Sequence, residues 1–509
     1  MPASLSAAAP VADRVAQADG LLCSDGQFGD SGAIGERNLA RFRLGLTMLA
    51  RSDSAAADVL NGTAAADDEL LRPLLYDPVL RNSFEVDLAR LESGRPGPSS
   101  FGTYARPYVP GAGAGPAAAA SGAGPCEGLS APHRRAWPGL GDAWVLTDPV
   151  PRESSQEALA GRLMELYRGA LGDSGAPGPV DPADDVLAVL REGAELLATL
   201  LPAAGASVLG HVSVVGFTHR ESEEGPLQSM SGGDPLPSTV LLAPERCTSP
   251  WLAAESLLHE GAHLKLFDAL RCGSVVENAA ERVPIPWRIG SWTVIRVIVA
   301  LHFYVHLLVF RAAAAGAGEA VRERFGAPPS AEDLDEPSAG TPAAASGQYR
   351  TSVERARYLA ECVLSLPAQA LTGNGHRFVR WLLTALCLVD DGAPQPPDRA
   401  AATPGRPEPA ESLPEAPRTG VLQRVTPVDA CALPGLGQLV VSPAGSARMH
   451  WLNGRAWTVY SLCDGRDLDS VRSAYARAAS LESGSSEAAR QVGDSVNRLV
   501  AAGLVTHAT

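Results

Sequence analysis

"AAESLLHEGAHLKLFDAL", residues 253–270, reads as one helix: Leu257, Leu264 and Phe267 stand among small alanines, and neither proline nor a β-branched run interrupts it. Inside it, His259, Glu260 and His263 follow the order H-E-x-x-H. Residues four apart sit one turn above each other, so two imidazoles rise from one face and can reach one divalent ion. A pattern with so few fixed positions also recurs by chance. The spacing alone leaves a peptidase's zinc site, an oxygenase's iron site and accident all open.

The other close histidine pair tips that balance toward a metal. His302 and His306 lie in "VIVALHFYVHLLVF", residues 297–310. This apolar stretch is shorter than the ~20 residues a spanning helix needs, so it predicts a buried core helix rather than a membrane span. An unpartnered imidazole is costly there, and a metal would provide a partner. A catalytic zinc or a facial iron site needs a third protein ligand. His302 is the first candidate. His306, one turn on, is the reserve, a donor behind the ligands or a core histidine bonded to a carbonyl. Glu277, in "SVVENAAERV" (274–283), is the rival that would make a His-His-Glu site, unless it lies on a solvated helix face. With zinc, Glu260 would be the general base for metal-bound water; with iron it would orient a ligand or the substrate.

Outward from the motif, a 509-residue chain with 45% hydrophobic residues has material for two or three domains. Residues 1–36 read as a flexible N-terminus, and 37–92 as helices with apolar residues three and four apart. Gly, Pro and Ala dominate 93–135 and 316–348, which predicts flexible insertions. Helices are expected in 155–171, 183–202 and 353–389, and short strands at "HVSVVGF" (211–217) and "STVLLAP" (238–244). The fold class is therefore mainly α with a small β element over a catalytic domain at 37–390. A Pro-rich linker at 391–420 leads to an α+β domain at 421–509, with two strands joined by "PAGS" and then helices.

Composition narrows the function classes. A net charge of -15 offers no basic stripe for phosphates, so nucleic acid is not an expected partner. The eight cysteines form no C-x-x-C pair, which argues against a disulfide scaffold or an iron–sulfur cluster. The first twenty residues lack a basic segment followed by an apolar core, so no secretory signal is read and the expected location is the cytoplasm, with no membrane partner.

Several stretches together resemble a known family, the HExxH-motif iron(II)- and 2-oxoglutarate-dependent peptide β-hydroxylases that act on ribosomally made peptides. They are "LLHEGAHLKLF", "PIPWRIG", "VALHFYVHLLVF", "RARYLAECVLSLPAQALTGNGHRFVRWLL" and "YDPVLRNSFEVDL". The resemblance implies iron(II) held by His259, His263 and His302, with 2-oxoglutarate and O2 as co-substrates. Trp287 and Arg288 match the family's W-R pair; Arg288, with Arg296 in reserve, is the expected 2-oxoglutarate partner, because a guanidinium fork binds carboxylate in two parallel bonds. The sequence departs from the family at "HFY", where a small residue is expected after the histidine.

Residues 421–509 carry a second resemblance. "LNGRAWTVYSLCDGRDLDSV" and "VNRLVAAGLV" are similar to the PqqD-like precursor-recognition domain, a winged-helix module that grips the leader of a precursor peptide. Val440, Val441, Met449 and Trp451 are the expected peptide contacts, the peptide adding to a sheet edge. A leader held through the linker raises the effective concentration of the core peptide at the metal. Two other readings stay open: a zinc metallopeptidase cleaving the precursor, and a non-catalytic precursor-binding scaffold.

Overall fold

The computed structural model describes residues 10–64, 68–95, 97, 99–105, 125–129, 143–151, 156–222, 225–288, 290–330, 348–396, 420–443, 446, 448–482 and 484–508. It divides into two compact units: Met1–Gly35, Pro73–Asn82 and Ala117–Pro397 form the first, and Glu36–Arg72, Ser83–Pro116 and Asp398–Thr509 the second.

The first unit is built of helices α1 (Val11–Ser24), α2 (Glu157–Leu171), α3 (Asp184–Leu200), α4 (Ala204–Leu209), α5 (Pro250–Leu270), α6 (Val294–Ala315), α7 (Ser352–Leu364) and α8 (Gly373–Val389). Beside two two-stranded ladders, Glu221–Ser222 with Gly225–Pro226 and Arg282–Pro284 with Ser291–Thr293, it has a four-stranded sheet of β1 (Trp144–Leu146), β2 (Val214–Phe217), β3 (Ser229–Ser231) and β4 (Thr239–Leu242), in the order β1-β2-β4-β3. The first three strands of that order run parallel, with Val214 beside Thr239, and β3 is antiparallel at the edge, with Met230 opposite Leu241. β2 and β4 are buried at every residue, which is why they read as short unbroken apolar runs.

Helix α5 is the centre of this unit. Ser249 caps it by accepting from the Leu252 N–H, and Pro250 opens its first turn, where a missing N–H costs nothing. It is buried nearly all round, from Trp251 to Ala269. Two glycines let its neighbours approach closely. A Cβ on Gly193 of α3 would lie 2.6 Å from the Ala253 Cβ, and one on Gly261 would lie 3.0 Å from the Val208 carbonyl oxygen of α4. Side chains there would hold the helices apart.

The structure corrects several sequence expectations. The N-terminus is not flexible throughout: α1 places Val15, Ala18 and Leu22 in the core, and the Leu21 carbonyl accepts from Trp381 Nε1 at 2.9 Å. That stripe, three and four residues apart, is helical periodicity too short to stand out in a polar stretch. Residues 1–9 lie outside the described residues. Within the expected insertions, Ser100–Ala105 and Glu319–Phe325 are helical and Pro125–Leu129 is a 3-10 turn; Phe101 and Cys126 are fully buried. The expected flexibility over 106–124, 130–135 and 331–347, and most of the linker at 397–419, falls outside the described residues. Helix α6 runs 22 residues, longer than the apolar quotation suggested, and passes for a membrane span by length and composition; its burial against the other helices makes it a core helix instead.

The second unit joins the helices of 36–72 and 83–105 to the C-terminal segment, whereas the sequence reading put 37–390 in one domain. Its C-terminal part has strands β5 (Val421–Arg424), β6 (Pro427–Leu433), β7 (Gln438–Pro443), β8 (His450–Asn453), β9 (Asp464–Asp467) and β10 (Val505–Ala508), with helices α9 (Gly454–Leu462), α10 (Leu468–Ala478) and α11 (Ser486–Ala501). Sheet β6-β7-β8 is an antiparallel meander, and β9-β5-β10 a second small sheet. Leu439, Val441 and Leu452 pack with Val459, Val471, Val492 and Leu499 in one core. The joining has a visible cause on the other face of the meander: Val440 and Ser442 are fully buried there, and Met48, Arg51 and Leu91 line a cavity together with Val428 and Ser442. A module that stood alone would leave that face in water.

Candidate metal centre

The sequence spacing of the motif is realised on α5. One ligand atom each from His259, Glu260 and His263 lies within 4.8 Å of the others, and the two imidazole centroids are 4.9 Å apart. His259 keeps 31% of its side chain exposed, so the cluster sits at the boundary between core and solvent. Phe303 of α6 stacks on the His259 ring at 3.5 Å and forms the opposite wall. Burial pushes His263 down to about 4, helped by the nearby His259. Burial and the Arg246 charge push His259 down as well, to about 3. Both rings are therefore neutral at neutral pH, with lone pairs available to a cation. His263 Nδ1 is buried without a hydrogen-bond partner.

Glu260 is held from the sheet edge. Ser229 Oγ donates to its Oε1 at 2.7 Å, and the Ser231 N–H donates to the same carboxylate. Burial raises its pKa, outweighing the lowering influence of His263, of these two donors and of the Arg246 guanidinium. The result is a fixed carboxylate beside two neutral imidazoles, able to orient a polar group or to accept a proton. This donor set, with its orphaned nitrogen, fits a divalent ion.

His302 and His306 are both fully buried on α6, with ring centroids 4.3 Å apart. His302 does not join the cluster of three: its ring turns to Phe378 and Trp381 of α8, at 5.8 and 6.0 Å. The helical step of ~100° per residue explains it, because neighbouring Phe303 is the residue aimed at His259. Both ring nitrogens of His302 and the Nε2 of His306 have no partner, while His306 Nδ1 bonds the His302 carbonyl at 2.9 Å. Burial drives both rings far down, His306 to about 3. Three buried imidazole nitrogens without a hydrogen-bond partner are a costly polar feature near the motif.

Glu277 lies exposed in the coil after α5, its N–H donating to the Ala370 carbonyl, and is outside the cluster. Arg296 is exposed and stacks on Trp292 at 4.6 Å. Arg288 sits in the turn after Arg282–Pro284, its N–H bonded to the Ile285 carbonyl, while Trp287 beside it is buried against Tyr349 and Tyr358. The charge that acts on both His259 and Glu260 belongs instead to Arg246. Its Nε donates to Ser256 Oγ at 2.8 Å, one helical turn before Glu260, and it pairs with Glu255 at 3.9 Å. Sequence reading passed over Arg246 because it stands in a 3-10 turn, Pro244–Cys247, outside every motif; its only signal is a position between a buried strand and the motif helix.

In the second unit, the expectation for Val440 and Val441 is overturned: both are fully buried, one on each face of central strand β7. Met449 and Trp451, at and beside edge strand β8, are half-buried and remain reachable. No family model matches the chain, and no curated protein matches it.

Proposed function

We propose that this chain is an iron(II)- and 2-oxoglutarate-dependent hydroxylase of a side-chain β-carbon in a ribosomally made precursor peptide. The observation that carries a metal enzyme is the buried edge cluster of His259, Glu260 and His263, neutral imidazoles beside a fixed carboxylate. Its direction toward hydroxylation comes from the resemblance of the motif segments to the peptide β-hydroxylases. His259 and His263 hold the ion; His302 stands outside their cluster, and its two buried, unpartnered nitrogens would make it the third ligand once its ring turns from Phe378 and Trp381. Iron(II), if held by these residues, would supply with 2-oxoglutarate and O2 the oxidising power for a C–H bond. Arg246 gives the 2-oxoglutarate carboxylate a cationic fork one turn from the cluster, in the role first expected of Arg288 or Arg296. Glu260 orients the substrate, and Phe303 excludes water from the His259 side.

The C-terminal segment acts as a PqqD-like, winged-helix recognition module for the leader. Support comes from the two half-buried edge strands of its meander, β6 and β8, and from three helices packed on one face. Such an enzyme works in the cytoplasm, where its precursor is made.

A second reading has one observation in its favour. Glu260 lies inside the ligand cluster with a raised pKa, which suits the general base of a zinc peptidase. One experiment separates the two. The protein is incubated in air with precursor, iron(II), 2-oxoglutarate and ascorbate, and the product is weighed. A gain of one oxygen that requires 2-oxoglutarate is the expected result. Cleavage with zinc alone would overturn it, and binding without any change would make the chain a scaffold.

A further inference from the structure

The geometry points to the outer edge of β3 as the docking strand for the peptide substrate: an extended segment adds to the sheet alongside Ser229–Ser231 and so passes the His259–Glu260–His263 cluster. This inference rests on the reading of the substrate as a peptide.

β3 ends the order β1-β2-β4-β3, so among the described residues no strand pairs with its outer side. Its hydrogen-bonding parity follows from two bonds at its ends: the Ala243 N–H donates to the Gln228 carbonyl at 2.9 Å, and the Gly232 N–H to the Thr239 carbonyl at 2.8 Å. Gln228, Met230 and Gly232 therefore aim their backbone groups at β4, and Ser229 and Ser231 aim theirs outward, since direction alternates along an antiparallel strand. On that outer side the Ser231 N–H already faces Glu260, so Ser229 is the residue left to pair. Ser229 then presents both its N–H and its C=O outward, the pair of groups that one residue of an incoming strand would satisfy.

Three features make a peptide main chain the occupant. All three β3 residues are half-exposed, and the edge carries none of the lysine, proline or bulge that proteins use to blunt free edges. Ser229 and Ser231 are small, leaving room for a strand ~4.8 Å away. The Ser229 hydroxyl is bonded to Glu260 at 2.7 Å, so a residue paired with Ser229 lies beside the cluster. Main-chain pairing supplies affinity without dictating sequence, which suits an enzyme that takes its specificity from a separate leader.

The test uses the full-length chain loaded with zinc(II), so that binding is read without turnover. Random dodecapeptides displayed on phage are selected on the wild type after depletion on Ser229→Pro, which removes the outward N–H together with the hydroxyl bond to Glu260 and leaves the bonds to β4. The control is Ser229→Ala, which loses the hydroxyl alone and should bind the selected peptides like wild type. The best peptide is then N-methylated one position at a time. The expected result is binding at least about tenfold weaker to Ser229→Pro, and tenfold losses from N-methylation at every second residue. No discriminating peptide, or losses without a two-residue period, would overturn the inference. So would a shift of the wild type to dimers through this edge in place of peptide binding. If melting shows Ser229→Pro unfolded, hydrogen exchange on the wild type decides: a peptide selected on it must protect residues 227–232, and absence of protection refutes the docking strand. A wild type that binds in this way but adds no oxygen would remove only the hydroxylase reading.

Discussion

Asp268 anchors the C-terminal turn of the helix that carries His259, Glu260 and His263, and replacing it by Asn should cost far more than one hydrogen bond. Its carboxylate accepts from Arg81 Nη2 and contacts His211 Nδ1 at 2.6 Å; Arg81 Nη1 donates to Ser238 at 2.8 Å, and His211 Nε2 meets Ser31 Oγ at 3.0 Å. The Arg81 and Asp268 side chains are 1% and 6% exposed, so the pair is dry. Asn keeps the shape but removes the carboxylate charge that faces the buried Arg81 cation, and breaking a buried pair costs about 3–5 kcal/mol. That is a large share of a typical stability of about 5–15 kcal/mol. Removing both charges in Arg81→Met/Asp268→Leu should recover part of the loss. The His211 and Ser238 groups still lose a partner in it, at about 1–3 kcal/mol. Urea unfolding of the full chain, followed by tryptophan fluorescence, measures all three variants. A loss under about 1 kcal/mol for Asp268→Asn, or a double variant as unstable as the sum of the singles, would refute the buried-pair argument.

The pH dependence sharpens the test. Burial alone would raise the Asp268 carboxyl, but Arg81, His211 and Arg271 together hold it well below the usual range. A carboxyl depressed on folding contributes stability that is complete above its unfolded value of ~3.9 and is lost as pH falls through the folded one. The wild-type advantage over Asp268→Asn should therefore be level from pH 8 to 5 and shrink only in stronger acid. An advantage already falling at pH 6 would assign it to another group.

Four further outcomes follow from the same structure. His302→Ala should weaken iron binding about 10–100-fold by titration calorimetry, whereas exposed Glu277→Ala should leave it unchanged. Arg246→Lys should keep its iron content but bind 2-oxoglutarate about tenfold or more weakly, read anaerobically from the charge-transfer absorption of the iron complex; equal affinity would return the role to Arg288. Gly261→Ala should lower stability by about 1–3 kcal/mol in urea, although alanine gains about 1 kcal/mol in helix propensity, because its Cβ meets the Val208 carbonyl. Trp451→Ala should weaken leader binding with the fold intact by circular dichroism, whereas Val441→Asp should unfold the C-terminal core first.

The long helices were legible because each repeats apolar residues over several turns, and β2 and β4 because buried parallel strands are unbroken apolar runs. β1 and β3 were not: three residues carry no period, and Ser229–Ser231 has no apolar side chain facing a core beyond Met230. Burial on both faces of β7 was likewise invisible, because the residues that cover Val440's side come from 36–92, hundreds of positions away. By itself the sequence determined that His259, Glu260 and His263 share one helical turn, since that is set by a rise of ~1.5 Å per residue and needs nothing beyond the helix. Only the tertiary structure decided what meets that turn: Phe303 in place of His302 across from it, Ser229 and Ser231 on Glu260, and Arg246 one turn below. Those choices depend on how α6, the sheet edge and a 3-10 turn rotate as they pack, and side-chain direction after packing is not encoded in local spacing.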